Sequence, residues 1–379
     1  MGLLRRVAVI CRPESEVLCG VSLYSRTRCN WTCMVSDGTH PRVAEALAKS
    51  VDGILAFRPS RDVLAGLAKS RCPGVIDIGQ PPKLWAVVTC DHKAIGRMAA
   101  DHLMECGFRN FGFCPSHLAH SKRSGRQKAF YSRLAEASFR CHTCCPPKTQ
   151  QWEQLRSRMV DWVVDLPKPV GIMAQNDSLG LQVLEACRVA GLAVPQQVGV
   201  LGAGNSRILC QSGNPPLSSV DENAARQGYL AAQVLDELMS GKPRPPRPII
   251  VPAAGVVTRE STGAILMEDA EMAKAIRLIR ERACDPLNVE DLLKEVGLSR
   301  RSLERRFRRF LGRSPHAEIR RIQLERAKRL LIDTTMSVQQ VARSCGLTTG
   351  WEISVIFRKH TGLTPTEFRT RHARPSAAQ

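Results

Sequence analysis

The sequence predicts an α/β region built on parallel sheets, followed by an all-α region that contains two helix-turn-helix units. Over the first 260 residues short apolar runs alternate with amphipathic stretches, whereas from Glu271 onward the pattern is helical and one motif occurs twice. Residues 271–379 hold 23 Lys or Arg against 12 Asp or Glu, and so carry +11 of the chain's net charge of +20. At 379 residues the chain is longer than one hydrophobic core normally serves, so we expect two or more domains.

The apolar runs predict the strands of the α/β region, and the stretches between them predict its helices. Alternation of strand and helix in this rhythm is typical of parallel sheets that are covered by helices on both faces. The predicted strands are 7–10, 53–57, 74–79, 85–88, 110–114, 170–174, 198–202 and 249–257. The predicted helices are 41–50, 93–107, 124–138, 178–191 and 223–241.

Polar residues and one glycine follow several predicted strands at the point where each strand ends. In parallel sheets ligands bind outside the carboxyl ends of strands, so these positions are candidate binding residues. Convergent donors and acceptors suit the hydroxyl groups of a sugar or another polyol. Alternatively, Asn176 and Asp177 only cap the helix that begins at Ser178, and the sequence leaves both interpretations open. The positions are Asp91, Asn176, Asp177, Gly204 and Asn205.

Several classes of enzyme lack their sequence signals here. No glycine-rich phosphate loop follows an early strand, and the sequence contains no nucleophile elbow and no His-Glu metal helix. We therefore expect no catalytic residue and no cofactor. The cluster RCHTCC, with Cys141, Cys144 and Cys145, is the best candidate for a zinc site or a cysteine-based enzyme. Since no second well-spaced pair follows it, we expect no metal.

Hydropathy and cysteine use predict the cellular location. The longest apolar runs are interrupted by charge or proline before the ~20 residues that a membrane span needs. The apolar run after Arg6 ends at Cys11, which is too short for a secretory signal. Fifteen cysteines in a long chain without such a signal indicate free thiols in a reducing compartment. We expect a cytoplasmic protein with no membrane partner; a sugar-binding protein with a basic tail would instead need export.

The stretch EVGLSRRSLERRFRRFLGRSP, residues 295–315, predicts an amphipathic helix with a cationic outer face and Ser299 as its N-cap. Seven arginines fall between Ser299 and Arg313. At about 100° per residue the large apolar side chains share one arc, and the arginines point the other way. A short helix over 289–296, closed by Gly297, precedes it and completes a helix-turn-helix. The apolar arc contains Leu303, Phe307, Phe310 and Leu311, and the cationic arc contains Arg301, Arg305, Arg308 and Arg309.

The helix-turn-helix unit occurs twice. Residues 289–315 realign with residues 338–365, and a long helix over 315–333 joins the two units. Two recognition helices held rigidly can enter successive major grooves about 34 Å apart, so the sequence predicts double-stranded DNA as a partner. The aligned pairs are Val289 with Val338, Gly297 with Gly346, Phe307 with Phe357, Gly312 with Gly362, and Pro315 with Pro365.

Residues 271–375 resemble the AraC/XylS DNA-binding domain, whose usual ending is G-x-T/S-P followed by an aromatic residue and Arg. Residues 5–260 resemble the periplasmic-binding-protein-like sensor of LacI/GalR repressors, through AQND, GLAVPQQVGVLG and PPLSSV in the expected order. Their fusion in this order is similar to regulators of the xylose-operon type. It implies a two-lobed sensor domain over 1–262, a linker over 263–270 and a double helix-turn-helix domain over 271–375. The AraC-type ending stands here as Gly362, Thr364, Pro365, Phe368 and Arg369.

The resemblance assigns the DNA contacts residue by residue. Arg301, Glu304 and Arg305 take base-reading positions, where Arg suits guanine and Glu suits cytosine N4. Arg308 and Arg358 are expected to hold phosphates. The reading positions of the second helix carry little charge, so we expect apolar or hydroxyl contacts and weaker discrimination there. These positions are Gly350, Trp351, Ser354 and Val355, with packing in the core as the alternative for Trp351.

The resemblance also assigns the effector side. Arg126, in GRQKAF, matches the family's ligand-binding arginine, and Asp177 matches its acidic partner. Where the family usually has the Asp of a G-x-D-N stretch, this chain has Gly204, and losing that acceptor would leave sugar hydroxyls unpaired. A small sugar is therefore expected, with xylose disfavoured, and a regulator that has lost sugar sensing is the alternative. The resemblance further implies a homodimer that regulates transcription, with RNA polymerase as a further partner.

Overall fold

The computed structural model describes residues 4–372 apart from 13–14, 29, 41, 43–48, 68–71, 78–84, 117–124, 145–151, 264–268, 286 and 312. The chain forms two compact units. The first contains the described residues up to Asp91 together with Glu222–Ala253, and the second contains His92–Asp221 and the described residues from Ala254 to His372.

The described residues up to Asp91 alternate strands with helices, as the sequence predicts. The strand over 31–36 was not predicted, and the predicted helix over 41–50 lies largely outside the described residues. The elements are β1 (Arg5–Ile10), α1 (Val17–Arg28), β2 (Trp31–Ser36), β3 (Gly53–Ala56), α2 (Arg61–Leu67), β4 (Gly74–Ile76) and β5 (Trp85–Cys90).

The alternation continues through residues 92–221. Each strand that the sequence predicts in this stretch is present, and two short strands, at 141–143 and 218–221, were not predicted as such. The elements are α3 (His92–Glu105), β6 (Asn110–Cys114), α4 (Gly125–Glu136), β7 (Cys141–Thr143), α5 (Trp152–Asp165), β8 (Val170–Ala174), α6 (Asp177–Val189), β9 (Val198–Ala203), α7 (Arg207–Ser212) and β10 (Ser218–Asp221).

The single strand predicted over 249–257 is wrong. After α8 (Ala224–Met239) the chain forms two strands, β11 (Ile249–Val251) and β12 (Gly255–Val257), and they belong to different sheets. Pro252 interrupts the run, because proline has no backbone N–H to donate to a strand ladder.

Each unit contains one sheet. The order is β11-β5-β4-β3-β1-β2 in the first sheet and β12-β10-β9-β8-β6-β7 in the second. All pairs are parallel except β10 with β12, which is antiparallel, so the prediction of parallel sheets holds apart from this edge. In the first sheet Val7 and Val9 pack with α1 and α8, whereas Ala8 and Ile10 pack with α2, so helices cover both faces.

From Ala270 onward the described residues are helical, as the sequence predicts. One core forms around Leu292, Leu303 and Phe307, and another around Ile353 and Phe357. The helices are α9 (Ala270–Arg282), α10 (Val289–Val296), α11 (Arg300–Leu311), α12 (Pro315–Asp333), α13 (Val338–Ser344), α14 (Gly350–Thr361) and α15 (Pro365–His372).

Candidate DNA-binding surface and effector site

Local side-chain chemistry fixes the first helix-turn-helix unit, α10 and α11. Asn288 and Asp291 form a reciprocal capping box at the start of α10, and Gly297 ends that helix with a left-handed φ of 68°. The hydroxyl of Ser299 accepts from the backbone N–H of Ser302 at 3.3 Å, which confirms Ser299 as the cap of α11. Leu303 and Phe307 are both 0% exposed, so the apolar arc of α11 faces the core.

The arginines of α11 divide into two groups. Arg300 lies 2.9 Å from Glu290 and 3.5 Å from Glu304, and Arg306 lies 2.7 Å from Asp269, the N-cap of α9. A second group is exposed and makes no ion pair with any described residue. This group consists of Arg301, Arg305 and Arg308. Gly312 and the side chains of Arg309 and Phe310 lie outside the described residues.

The second unit, α13 and α14, has the same construction and a different outer face. Ser337 and Gln340 form the capping box of α13, and Thr349 caps α14 by accepting from the N–H of Glu352 at 3.1 Å. Trp351 is 76% exposed and Val355 is 46% exposed. The alternative that Trp351 packs in the core is therefore wrong. Trp351 and Val355, one helical turn apart, occupy the positions at which the first helix-turn-helix unit carries Arg301 and Arg305.

Two other polar side chains of α14 are held by internal bonds. The hydroxyl of Ser354 donates to the carbonyl of Gly350 at 2.7 Å. Glu352 lies 2.5 Å from Arg320 of α12 and accepts from the N–H of Thr348 at 3.0 Å. Arg358 is exposed at the last turn of the helix. The side chains of Trp351, Val355 and Arg358 are thus among the outward groups of this helix.

The AraC-type ending of the chain has a structural role. Phe368 stacks edge-on against Phe357, with 5.3 Å between ring centroids, and Arg369 donates to the carbonyls of Leu331 and Met336. Thr364 exchanges hydrogen bonds with Glu367, which starts α15. These contacts fix α15 on the end of α12, so this motif positions the second recognition helix.

Arg126 is buried at the carboxyl edge of the second sheet. It is 2% exposed, and Nη1 donates to the carbonyl of Gln175, directly after β8, at 2.5 Å. Nη2 lies 3.4 Å from Nδ1 of His92, the first residue of α3. The edge that the sequence predicts as a binding site therefore brings Arg126 beside the residues that follow β8.

Asn176 and Asp177 both have structural partners. The Asn176 side chain accepts from the N–H of Leu179 at 3.0 Å, so Asn176 is the N-cap of α6. Asp177 is 3% exposed, and its oxygens accept from the N–H of Ser206 at 2.8 Å and from the hydroxyl of Ser219 at 2.5 Å. The carboxylate of Asp177 thus fixes the loop after β9.

That loop carries Gly204 and Asn205. Gly204 has a φ of 129°, which disfavours any side chain, so an aspartate at this position would strain the backbone. The amide group of Asn205 donates to Asp221 at 3.1 Å, and its oxygen accepts from Arg259 at 2.8 Å. The loop is therefore shaped around glycine and held by internal hydrogen bonds.

Three charged side chains of the first compact unit were not predicted as binding residues: Arg58 follows β3, Asp77 follows β4, and Glu222 begins the segment Glu222–Ala253. The N–H of Arg58 donates to Asp77 at 2.6 Å, and its guanidinium lies 2.5 Å from Glu222. Burial raises the pKa of Asp77 to about 6. Asp91, whose N–H donates to the carbonyl of Val251 at 3.0 Å, follows β5 as predicted. Asp77 was missed because the predicted strand ran to residue 79, whereas β4 ends at Ile76.

The cysteine cluster has no metal-like arrangement in the part of the chain that the structure describes. Cys141 lies on the edge strand β7 and Cys144 is buried after it, while Cys145 lies outside the described residues. No three described His, Cys, Asp or Glu side chains are placed to hold a metal ion together. Of the described helices, none is long and apolar enough to cross a membrane.

Comparison with known protein families gives two matches. Residues 100–262 match a periplasmic binding protein-like domain, and residues 292–371 match a helix-turn-helix domain. The xylose operon regulatory protein of Escherichia coli K12 is 28% identical over 369 residues, which cover 94% of this chain and 93% of that protein. Over nearly its whole length the chain is therefore similar to transcriptional regulators of the xylose-operon type, with a periplasmic binding protein-like domain followed by a helix-turn-helix domain. The protein of the same name from Haemophilus influenzae is 27% identical over 366 residues, covering 94% of this chain and 95% of that protein.

Solved structures match at two levels. The structure of a xylose-binding transcription activator aligns with 98% of this chain and 99% of its own length, with a TM-score of 0.59 and 27% identity. A transcriptional regulator in complex with cellobiose aligns with 68% of this chain and 84% of its own length, with a TM-score of 0.54 and 21% identity. The first match extends over sensor and DNA-binding regions, and the second supports the fold of the sensor.

Proposed function

We propose that this regulator binds operator DNA sequence-specifically through both helix-turn-helix units. The contrast on α11 carries the proposal: Arg300 and Arg306 are ion-paired, whereas three other arginines are exposed without an ion pair to any described residue. Cations held on an outward helix face are available for phosphates and base edges. These three are Arg301, Arg305 and Arg308.

The two units take different roles in this proposal. Arg301 and Arg305 donate to guanine, and Glu304 accepts from cytosine. Arg308 and Arg358 hold phosphates and so position the protein without specifying sequence. In the second helix-turn-helix unit, Trp351 and Val355 contact thymine methyl groups, since both present mainly apolar surface to the major groove. Gly350 lets the start of α14 approach the bases, and Ser354 adds a hydroxyl.

We propose a small sugar or polyol as the effector. Its residues are those at the carboxyl ends of strands, with Arg126 as the main donor. The names of the xylose operon regulatory proteins and the cellobiose-bound relative support a sugar. The observation against xylose is Gly204, which replaces the family's aspartate in a loop whose φ of 129° suits glycine. The remaining proposed effector residues are Asp91, Asn176, Asp177 and Asn205.

A second candidate function is regulation without a sugar. Asn205 has both ends of its amide bonded within the protein, and the carboxylate of Asp177 is buried. A sensor whose polar groups are used internally would retain the fold and bind no effector.

The resemblance supports three further parts of the proposal. The chain acts as a homodimer in the cytoplasm, it is not an enzyme, and RNA polymerase is the partner through which it changes transcription. Sedimentation equilibrium of the purified chain, with and without operator DNA, tests the dimer directly. A monomer in both states would remove that part and leave DNA binding in place.

The first experiment is selection of duplexes from a random pool, followed by a salt series on the selected operator. We expect a shared motif with two half-sites about one helical turn apart, and a Kd that rises steeply with salt. The same assay with D-xylose, D-ribose, cellobiose and lactose tests the effector. One sugar that shifts the Kd supports the sensor, and indifference to all four favours the second candidate. Failure to enrich any motif would refute sequence-specific binding.

A further inference from the structure

Four charged side chains connect α3 to the DNA-binding helices. They are Glu105, Arg313, Glu318 and Arg321. Glu105, the last residue of α3, pairs with Arg313, and it lies 3.2 Å from Arg321. Both arginines also pair with Glu318, at 2.8 Å and 2.7 Å. The side chains of Glu105 and Glu318 are only 17% and 2% exposed, so these pairs are screened less than pairs on the surface.

The positions of these arginines give the cluster its leverage. Arg313 lies two residues after the end of α11, the first proposed recognition helix. Arg321 lies on α12, the helix that joins the two helix-turn-helix units. Although burial alone would raise the pKa of Glu318, the neighbouring Arg321 and Arg313 lower it, so its carboxylate stays charged. Removing one partner would leave an uncompensated buried charge.

The other end of α3 lies at the predicted effector residue. Its first residue, His92, places Nδ1 3.4 Å from Arg126. One turn later, Gly96 lies so close to the carbonyl of Arg126 that a Cβ at this position would collide with it. A displacement of Arg126 therefore acts on the first turn of α3 through both side chain and backbone.

A single helix thus connects the two places. At 1.5 Å per residue, the 14 residues of α3 span about 21 Å. We infer that α3 couples the effector residue Arg126 to the DNA-binding domain, with Glu105 as the positioning residue that holds this domain through Arg313 and Arg321. This inference rests on the proposed function, because it takes Arg126 as the residue that senses the effector.

A brace that only stabilises the fold would have the same contacts, so the test must measure coupling. We would use a double-mutant cycle in the full chain, with Arg126→Gln at one end of α3 and Glu105→Gln at the other. The control is Glu136→Gln. Glu136, on α4, forms an exposed ion pair with Arg97 of α3, with N–O distances of 2.7 and 2.9 Å, and this variant weakens that pair. The readout is the Kd for the duplex that the parent chain selects from a random pool.

If α3 couples the sites, Arg126→Gln changes the Kd about fivefold or more in the parent, and less than about twofold in the Glu105→Gln background. The Glu136→Gln background keeps the full effect. Arg313→Gln serves as a second variant of the DNA-binding end if Glu105→Gln fails to fold. Thermal unfolding of each variant separates loss of stability from loss of coupling.

Two results would overturn the inference. One is an equal effect of Arg126→Gln in the parent and in Glu105→Gln, which is what a purely structural brace predicts. The other is an unchanged Kd on Arg126→Gln in every background. In both results the parent still selects its operator, so the proposed function survives. A parent chain that selects no duplex refutes the proposed function and removes the basis of the inference as well.

Discussion

The two helix-turn-helix units share their internal construction and differ in their outer chemistry. Each has a capping box on its first helix, a left-handed glycine in its turn and a fully buried Phe, at 307 and 357, on its second helix. The outer face of α11 carries exposed arginines, whereas the outer face of α14 carries the exposed Trp351 and Val355. A few buried and capping residues therefore define the helix-turn-helix unit, and its outer face can change without disturbing them.

The largest expected effect tests the shared construction. Phe307→Ala and Phe357→Ala should each lower the free energy of unfolding by about 3–5 kcal/mol, because each ring is 0% exposed and fills its own core cluster. Urea unfolding of both variants measures this. Arg301→Ala, on the exposed face of α11, is the matched control and should stay within about 0.5 kcal/mol. A cost below 1 kcal/mol for one ring would contradict the equivalence of the two cores.

Substitutions of the turn glycines should lower the free energy of unfolding by a smaller amount. Gly297 has a φ of 68° and open space where a Cβ would lie, so Gly297→Ala should cost only the backbone strain of about 1–2 kcal/mol. Gly346 has a φ of 71°, and a Cβ there would lie 2.8 Å from the carbonyl oxygen of Cys284. Gly346→Ala should therefore destabilise more than Gly297→Ala in the same unfolding assay. Equal losses would mean that the chain before α10 yields to the methyl group.

The cationic face should contribute both to specificity and to salt dependence. Arg305→Ala is expected to cost about 1–3 kcal/mol in operator binding and to relax the preference at one base pair. Arg308→Ala should weaken all sequences alike and reduce the salt slope by about 1. Binding to a library of single-base operator variants over a salt series measures both effects. If both variants lose affinity uniformly, the division between reading and anchoring residues is wrong.

The apolar face should give the smallest effect and a different signature. Trp351→Ala is expected to cost about 1–2 kcal/mol with an unchanged salt slope, because an apolar contact releases no counterions. Replacing thymine by uracil in one half-site removes the methyl groups alone. In matched titrations that change should weaken binding by the parent chain more than binding by Trp351→Ala, which keeps only Val355 as a methyl contact. Equal loss for both proteins would mean that Trp351 contacts something other than a thymine methyl, such as a protein partner.

Sequence periodicity was a good guide where an element depends on its own residues. The strands at 110–114 and 170–174 begin and end where the apolar runs do. Edge elements were missed, because β2 and β7 bury only part of their residues and so lack the continuous apolar run of a central strand. The run over 249–257 was interpreted as one strand because periodicity ignores which sheet offers a partner.

The candidate sites show the same limit at the level of single residues. Rules about strand ends found Asn176 and Asp177, but could not decide that Asn176 caps a helix or that Asp177 is buried. The same residue type can bind a ligand or hold the fold together, and the sequence does not distinguish the two roles. The hydrogen-bond partners decide the role: Leu179 for Asn176, and Ser219 for Asp177. Ser219 lies 42 residues from Asp177 along the chain.

The sequence by itself determined the fold class, the repeat of the helix-turn-helix unit and the cationic face of α11, because these depend on periodicity, caps and charge within short windows. Only the tertiary structure revealed the cluster of Arg58, Asp77 and Glu222 and the ion pairs of Glu105 with Arg313 and Arg321. These contacts join residues that are far apart in the chain, and no local pattern encodes which distant charges folding brings together.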